Sequence, residues 1–240
     1  MSVTSDITLC ITMGRRPELL KQTLESLFQF YTFENVIAVN DFGDKETSQA
    51  FKEICPHGQL LHLEQQQGHH PAVDLMYAQV STPYVFHCED DWLFTSAPNL
   101  QQAKSLLDLP SVTVVCFRSV NTIPFESQEQ QRIQLCEHQG IQFYRLDRLN
   151  SQWHGYTFNP HLAKLNLWQN NGGFSQYRKE RHISRHLRAQ GKYVVMECPG
   201  SCHHIGDGVS VSHENHNQKP SRWKKWRRTI KWWIREGWKR

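Results

Sequence analysis

Hydrophobic positions in the first part of the chain follow two alternating periods. Segment 6–13 alternates aliphatic residues with smaller or polar ones, which predicts a strand. Segment 17–30 begins with Pro17 and repeats leucines every three or four positions, which predicts an amphipathic helix. The same succession continues to residue 94, with strands predicted at 35–41, 58–65 and 82–92 and helices at 42–55 and 71–81. Strands that alternate with helices predict a mostly parallel sheet of βαβ units.

The second half of the chain has a less regular pattern. It predicts strands at 111–120, 140–149 and 192–200 and helices at 160–169 and 179–191. The Gln- and Glu-rich segment 121–140 predicts a mobile loop or a short hairpin. We therefore predict an α/β fold, with a single domain over residues 1–212 whose central, mostly parallel sheet is flanked by helices. A polar linker, 213–221, separates this domain from a basic segment, 222–240.

The composition is typical of a cytoplasmic globular protein. The chain has 240 residues, of which 38% are hydrophobic, and it lacks the run of about eighteen uncharged apolar residues that a membrane span requires. Its first residues lack the basic start and apolar run of a secretion signal. The seven cysteines are scattered and include no CxxC pair, which favours reduced thiols.

Positive charge is concentrated at the C-terminus. Residues 222–240 contain nine Lys/Arg and one Glu, so this segment is strongly basic while the whole chain carries only +4. On a helix, six apolar side chains of the segment share one face: Trp223, Trp226, Ile230, Trp233, Ile234 and Trp238. This pattern predicts a helix that lies on an anionic membrane surface. A nucleic-acid-binding tail and a helix docked on a partner are the alternatives, and the acidic remainder of the chain argues against nucleic acid.

Acidic residues follow two of the predicted strands. The strand within 82–92 runs into Glu89, Asp90 and Asp91, and the second strand ends at Asp41. Ligands of open α/β sheets bind at the carboxyl ends of the strands. Strand alternation would direct Glu89 and Asp91 to one face and Asp90 to the other, and two such close carboxylates favour a bound Mg²⁺ or Mn²⁺. The alternative is an acidic loop solvated at the surface.

The order of these features resembles the GT-A fold glycosyltransferases, specifically the inverting family 2 group. The matching segments are "ITMGRRPELLKQTLESL", "VIAVNDFGDKET", "QQQGHHPAVDLMYAQ", "FHCEDDW", Gly172-Gly173-Phe174 and "CHHIGDG". The resemblance covers about residues 1–210 and divides the domain into a nucleotide-binding half, 1–94, and an acceptor half, 95–212. Asn40 stands where the family has the first acid of a pair.

The resemblance implies a site for a nucleotide sugar and a divalent cation. Asp91 would ligate Mn²⁺ or Mg²⁺, and His203 or His204 would close the metal or phosphate site. The remaining residues implied to bind the nucleotide sugar are Thr12, Arg15, Asn40, Asp41, Gly68, Glu89 and Asp90. Among them, Asn40 or Asp41 would meet the base or ribose.

The resemblance also implies a catalytic base and an acceptor region. The family's acidic pair at the start of a late helix is here Lys179-Glu180, so Glu180 is the candidate base; an exposed Glu in a charged run is the alternative. The candidate acceptor residues are Trp92, Trp153, His154, Gly172 and Gly173. Trp92 could equally fill the core, and the segment 151–162 could equally be a packed loop.

These features together predict a metal-dependent inverting glycosyltransferase. A cytoplasmic enzyme held at the inner face of a membrane would suit a lipid-linked acceptor in the synthesis of a cell-surface polysaccharide or lipopolysaccharide. One alternative is a non-catalytic, membrane-associated nucleotide- or glycan-binding protein. The other is a sugar-nucleotide pyrophosphorylase, whose glycine-rich loop after the first strand has no counterpart in "TMGRRPE".

Overall fold

The computed structural model describes residues 2–206, in which nine strands form one sheet and two further strands form a small second sheet. The strands are β1 Ser2–Met13, β2 Tyr31–Asn40, β3 Gln59–His62, β4 Tyr84–Glu89, β5 Trp92–Phe94, β6 Val112–Cys116, β7 Gln134–His138, β8 Ile141–Arg145, β9 His161–Lys164, β10 Tyr193–Glu197 and β11 Cys202–His204. The helices are α1 Pro17–Phe28, α2 Lys45–Ile54, α3 His69–Tyr77, α4 Leu100–Leu107, α5 Ser127–Gln130, α6 Leu165–Asn170 and α7 Glu180–Ala189.

The large sheet has the order β3-β2-β1-β4-β9-β6-β10-β8-β7. β1 pairs in parallel with both β2 and β4, and β2 pairs in parallel with β3. Helices cover both faces, so the central strands are buried on both sides, as parallel sheets usually are. The α/β fold with a mostly parallel sheet, predicted from the sequence, is confirmed.

Two hydrophobic clusters lie on opposite faces of the sheet because successive residues of β1 point to opposite sides. Leu9 and Ile11 belong to the cluster that includes the α1 leucines, whereas Cys10 belongs to the cluster beneath α3 and α7. In α1 the leucines that face the sheet are fully buried: Leu20, Leu24 and Leu27. This packing fixes the loop between β1 and α1 at the carboxyl edge of the sheet.

The predicted helix at 160–169 is wrong in its first half. His161–Lys164 forms β9, which inserts antiparallel between β4 and β6, and α6 begins only at Leu165. His161 and Leu162 are fully buried between these neighbours. The pairing available on both sides therefore overrides the helical periodicity of the segment.

The predicted strand over 82–92 is interrupted. β4 ends at Glu89, and β5 begins at Trp92 after a bend. In segment 121–140, the hairpin alternative is observed at its end, where β7 pairs antiparallel with β8. Its two turn residues, Gln139 and Gly140, have positive φ values of 51° and 78°, which suit the tight turn of a twisted hairpin.

The predicted linker 213–221 and the six apolar residues of the basic segment lie outside the described residues. Their membrane role therefore stays a prediction; the six residues are Trp223, Trp226, Ile230, Trp233, Ile234 and Trp238. Within residues 2–206, helices long and apolar enough to cross a bilayer are absent.

Candidate functional site

The carboxyl ends of β1 and β4 place the acidic cluster beside the loop that follows β1. The strands are in register such that Thr12 lies opposite Glu89. The Gly14 N–H donates to Asp90 Oδ2 (2.9 Å). The Asp90 side chain is only 1% exposed and that of Asp91 only 9%, whereas that of Glu89 is 31% exposed. The surface-loop alternative for the cluster therefore does not hold.

Arg16 binds both aspartates. Its Nη1 donates to Asp91 Oδ2 (2.6 Å) and its Nη2 donates to Asp90 Oδ1. The Arg16 side chain is 13% exposed. The prediction that Asp90 points away from Asp91 is wrong, because the strand ends at Glu89 and strand alternation does not extend to the two aspartates.

His204 reaches Asp91 from the other end of the chain. β11 pairs antiparallel with β5, which places His204 opposite Trp92. His204 Nε2 lies 3.1 Å from Asp91 Oδ2, and the N–H of Ile205 donates to the Asp91 carbonyl (2.9 Å). Of the two histidines predicted to close the site, the structure brings His204 to Asp91. Alternation along β11 directs His203 to the opposite face.

Asp91 and His204 fit a divalent cation whose remaining ligands come from a phosphate. Asp91 Oδ1 is buried and has no hydrogen-bond partner among the described residues, so one oxygen of a charged group is left unsatisfied. Within residues 2–206 there is no group of three His, Cys, Asp or Glu side chains that could enclose a metal. Mg²⁺ is commonly held by one or two carboxylates plus substrate phosphates, so two protein ligands suffice for such an ion.

Asp41 holds the turn that leads into α3. Its Oδ1 accepts from the N–H of Gln67 (2.7 Å) and its Oδ2 accepts from the N–H of Gly68 (2.9 Å). Gly68 has a φ of 96°, and the space where a Cβ would stand is open to 4 Å. The backbone at Gly68 is therefore accessible to a ligand at the start of α3.

Asn40 has a structural role instead of the predicted contact with a base or ribose. The residue is fully buried, and its Nδ2 donates to the Asp44 carbonyl and to Ser48 Oγ. Its Oδ1 accepts from the N–H groups of Phe42 and Gly43, each at 3.1 Å. All hydrogen-bonding groups of the amide are thus used within the turn after β2.

Arg15 lies outside the acidic cluster. It has a φ of 57° and an exposed side chain, and its guanidinium lies 4.9 Å from the centre of the Phe42 ring. Its N–H donates to Asp44 Oδ2 (2.9 Å). Since the conformation of Arg15 turns its side chain outward, the neighbouring Arg16 enters the site.

Glu180 begins α7 and reaches the same region. Burial raises the pKa of Glu180 to about 7, although hydrogen bonds from the Phe158 N–H and the Thr157 hydroxyl lower it. Although 31% of its side chain is exposed, desolvation together with the charges of Asp91, Glu180 and Asp90 raises the pKa of Glu89 to about 8. Glu180 is therefore a partly buried carboxyl within electrostatic range of Glu89, and the exposed-Glu alternative does not hold.

His69 also lies in this region, although the sequence favours a merely polar role for the His69-His70 pair over a contact with the diphosphate. Its Nε2 lies 3.9 Å from Glu89 Oε1, and its ring packs edge-on against Phe158 with a centroid distance of 4.4 Å. Although 38% of its side chain is exposed, desolvation by the surrounding protein and the neighbouring His70 lower the pKa of His69 to about 4, so the imidazole is neutral at pH 7. The signal in the sequence is its position directly after Gly68, at the start of a helix that follows a strand.

Asp74 fixes the Gly172-Gly173-Phe174 loop against α3. Its carboxylate accepts from the Phe174 N–H (2.7 Å), the Ser175 N–H (2.8 Å) and Trp168 Nε1 (2.7 Å). Gly173 has a φ of 84°, and a Cβ there would lie 2.8 Å from Asp74 Oδ2. The loop thus approaches α3 too closely for any residue larger than glycine.

Three of the candidate acceptor residues do not face the acidic cluster. Trp92 is 1% exposed, so the core alternative is the observed one and no ring face is available to a sugar. The Trp153 carbonyl accepts from Arg188 in the last turn of α7, and the His154 carbonyl accepts from Val194 at the start of β10. Arg188 lies eight positions after Glu180, about 12 Å farther along α7, and Val194 belongs to a different element.

The model of the family described as glycosyl transferase family 2 matches residues 8–193 of the chain. No curated protein sequence matches the chain.

Solved structures with the same fold have low sequence identity to this chain. S. aureus TarS 1–349 has a TM-score of 0.60 and 13% identity, over 84% of this chain and 60% of that chain. The mannosyltransferase PcManGT from Pyrobaculum calidifontis, in complex with GDP-Man and Mn²⁺, has a TM-score of 0.57 and 13% identity, over 80% of this chain and 56% of that chain. S. aureus TarS 1–349 in complex with UDP has a TM-score of 0.56 and 12% identity, over 82% and 59% of the two chains. The chain thus spans less than two thirds of the length of these structures.

Proposed function

Since the chain belongs to glycosyl transferase family 2 and has the GT-A-like fold predicted from its sequence, we propose that it transfers a sugar from a nucleoside-diphosphate sugar to a hydroxyl of a glycan acceptor, with inversion at the anomeric carbon. The observation that carries the proposal is the convergence of two kinds of group at one edge of the sheet. One is the Asp91–His204 pair with its unsatisfied carboxylate oxygen, and the other is the partly buried carboxyl of Glu180.

The donor would bind between the loop after β1 and the start of α3. Asp41, Gly68 and Thr12 lie at this edge, where the backbone of Gly68 is open to a ligand. The fold relatives in complex with GDP-Man and Mn²⁺ and with UDP support a nucleotide-sugar donor. Asp91 and His204 are the residues that would hold Mn²⁺ or Mg²⁺, which when bound supplies positive charge to a leaving diphosphate.

Glu180 would act as the general base. Inverting transfer requires a carboxylate to remove the proton of the acceptor hydroxyl as that oxygen attacks the anomeric carbon. A group whose pKa lies near the working pH is well suited to this task, and the pKa of Glu180 is about 7.

The acceptor and the location are inferred from the sequence of the tail. A basic helix rich in tryptophan would hold the enzyme at the cytoplasmic face of an anionic membrane, where a lipid-linked glycan of a cell-surface polysaccharide or lipopolysaccharide would be the acceptor.

A donor panel tests the proposed reaction. The full chain is incubated with UDP-, GDP-, ADP- and dTDP-sugars in the presence of Mn²⁺, Mg²⁺ or EDTA, and both nucleotide release and the melting temperature are measured. We expect metal-dependent release from at least one donor and a higher melting temperature with the same donor. Stabilisation by a donor without any release, with or without candidate glycan acceptors, would instead support the non-catalytic binding protein.

A further inference from the structure

Four exposed cations lie in the first half of α7 or just before it and have no anionic partner among residues 2–206. We call Arg178, Lys179, Arg181 and Arg185 the α7 basic patch; all four are exposed. Within the described part of the chain, none of their side chains forms an ion pair or a hydrogen bond. By contrast, Arg188 on the same helix donates to the Asp147 carbonyl (2.5 Å) and is therefore accounted for by the fold.

The patch is electrostatically unfavourable for the helix that carries it. Lys179 is the N-cap and Arg181 lies in the first turn, where the helix dipole already places positive charge. Arg181 and Arg185 are four residues apart, a spacing at which like charges repel each other. The pKa of His182 is lowered below its ordinary value, by desolvation and by repulsion from all four cations of the patch. Folding therefore concentrates positive charge here without gaining stability from it.

The position of the patch connects it to the candidate base. Lys179 and Arg181 are the sequence neighbours of Glu180 at the first turn of α7, and since successive residues of a helix point in different directions, the patch lies beside the candidate base rather than around it. The preceding segment is held in place, because the Tyr177 carbonyl lies 2.5 Å from His70 Nδ1 and Asp74 anchors Phe174 and Ser175. The patch therefore stands at a fixed distance from the start of α3, where the donor would bind.

We propose that the α7 basic patch binds a phosphate group of the acceptor, so that the acceptor is a phosphate-bearing glycan. The inference rests on the proposed transferase function and assigns the acceptor class to the same site. Arginine suits phosphate because its planar guanidinium can donate two parallel hydrogen bonds to phosphate oxygens. Three arginines and one lysine within eight consecutive positions match the charge of a phosphate better than that of a neutral sugar.

The test uses hydrogen–deuterium exchange on the full chain, because exchange can be measured separately for peptides from α7 and from residues 222–240. The probes are a phosphodiester-linked glycerol hexamer, neutral hexaethylene glycol as its uncharged counterpart, and vesicles of phosphatidylglycerol. Arg181→Gln/Arg185→Gln removes two charges of the patch. Lys52→Gln/Arg132→Gln removes two exposed charges elsewhere and is the matched control.

We expect the phosphodiester hexamer to protect peptides that cover 178–189 and the neutral oligomer not to protect them. The Arg181→Gln/Arg185→Gln variant should need at least about tenfold more hexamer for the same protection, since each lost charge-assisted contact weakens binding substantially, whereas the control pair should change it less than about twofold. Equal protection by the neutral oligomer, or equal affinity of both double variants, would overturn the proposal. Protection of α7 by vesicles but not by the hexamer would assign the patch to a membrane surface and would also overturn it.

Nucleotide release from the best donor is measured on the same proteins. If the wild-type chain releases no nucleotide from any donor, the proposed transferase function fails. If it releases nucleotide but the α7 peptides do not respond to the hexamer, only the acceptor inference fails.

Discussion

Asp90 and Asp91 are nearly buried, and Arg16 is the cation that bonds to both of them. Two neighbouring carboxylates in such a place would repel each other strongly without a positive charge between them. The guanidinium can serve both because its two Nη atoms diverge, one toward each aspartate. Lysine, with a single ammonium group, could not reproduce this geometry.

Replacing Arg16 by methionine should destabilise the fold. The substitution leaves two buried carboxylates without their cation, which by analogy with other broken buried ion pairs costs about 3–5 kcal/mol of unfolding free energy. Because burial raises the pKa of Asp90 to about 7, its protonation relieves the repulsion, and the deficit should shrink as the pH falls from 8 to 5. Urea denaturation at both pH values measures it. Arg15→Met is the control, with an expected change within about 0.5 kcal/mol for an exposed side chain; an equal loss in both variants would contradict the role of Arg16.

Glu180→Gln should abolish most turnover while donor binding remains. Loss of a general base typically lowers kcat about 10²- to 10⁴-fold. In the wild-type enzyme kcat/KM should fall as the pH decreases through about 7, because only the deprotonated Glu180 accepts a proton and its pKa lies near that value.

The raised pKa means that the charged carboxylate is disfavoured in the folded protein, so stability from this group is present below the unfolded pKa and is lost as the pH rises toward 7. The variant should therefore not be less stable than the wild type at pH 8.

Steady-state kinetics and donor titration separate these effects for Glu180. Glu53 is an exposed acid on α2, and the control Glu53→Gln should keep both turnover and donor binding. Full turnover in Glu180→Gln would show that another group removes the proton.

At the scale of elements, the loop that contains Gly172 and Gly173 depends on contact with α3. Gly173→Ala should destabilise the protein for two reasons, namely its φ of 84° and the 2.8 Å contact of the new Cβ with Asp74. Gly140→Ala is the matched control, since Gly140 has a φ of 78° but open space around a Cβ. Overpacking of this kind costs about 1–3 kcal/mol, so Gly173→Ala should exceed Gly140→Ala by at least about 1 kcal/mol in thermal or chemical unfolding. Equal losses would show that Asp74 moves away without cost.

The elements that were predicted well are those for which the hydrophobic period of the sequence and the packing partners in the fold favour the same secondary structure. β1 and α1 were found from the sequence because alternating aliphatic residues and regularly spaced leucines are both buried in the same cluster. β9 was missed since its sequence has a helical period, and only the gap between β4 and β6 selects the strand. The alternation of strands and helices predicted that the carboxyl ends of the parallel strands lie at one edge of the sheet. This placed the acidic cluster at that edge.

The individual contacts of the site were harder to predict than its location. Arg16 and Asp91 are 75 positions apart, and nothing local in "GRR" distinguishes Arg16 from Arg15 until the positive φ of Arg15 is known. Asn40 looked like a substituted ligand because the turn that consumes its hydrogen bonds forms only in the folded chain. Burial of Trp92 likewise depends on the pairing of β5 with β11, which joins distant segments.

At the scale of the whole molecule, the basic segment 222–240 should govern membrane association. We expect the full chain to sediment with vesicles that contain phosphatidylglycerol and the chain ending at residue 221 to remain in the supernatant. Binding should weaken as salt is raised from 50 to 500 mM, because screening reduces the attraction between Lys/Arg and anionic lipid. Phosphatidylcholine vesicles are the control for charge. If the truncation does not change sedimentation, residues 222–240 do not cause membrane association.

The pairing of β5 with β11 also sets the order in which the site can assemble. Arg16, Asp90 and Asp91 all lie within the first 91 residues, whereas His204 is 113 positions after Asp91. During synthesis from the N-terminus, the arginine can neutralise the aspartates long before the histidine has been made. The nascent chain is thereby protected from an uncompensated pair of buried negative charges, and the Asp91–His204 pair, which we propose as the cation site, is completed only when nearly the whole domain is present.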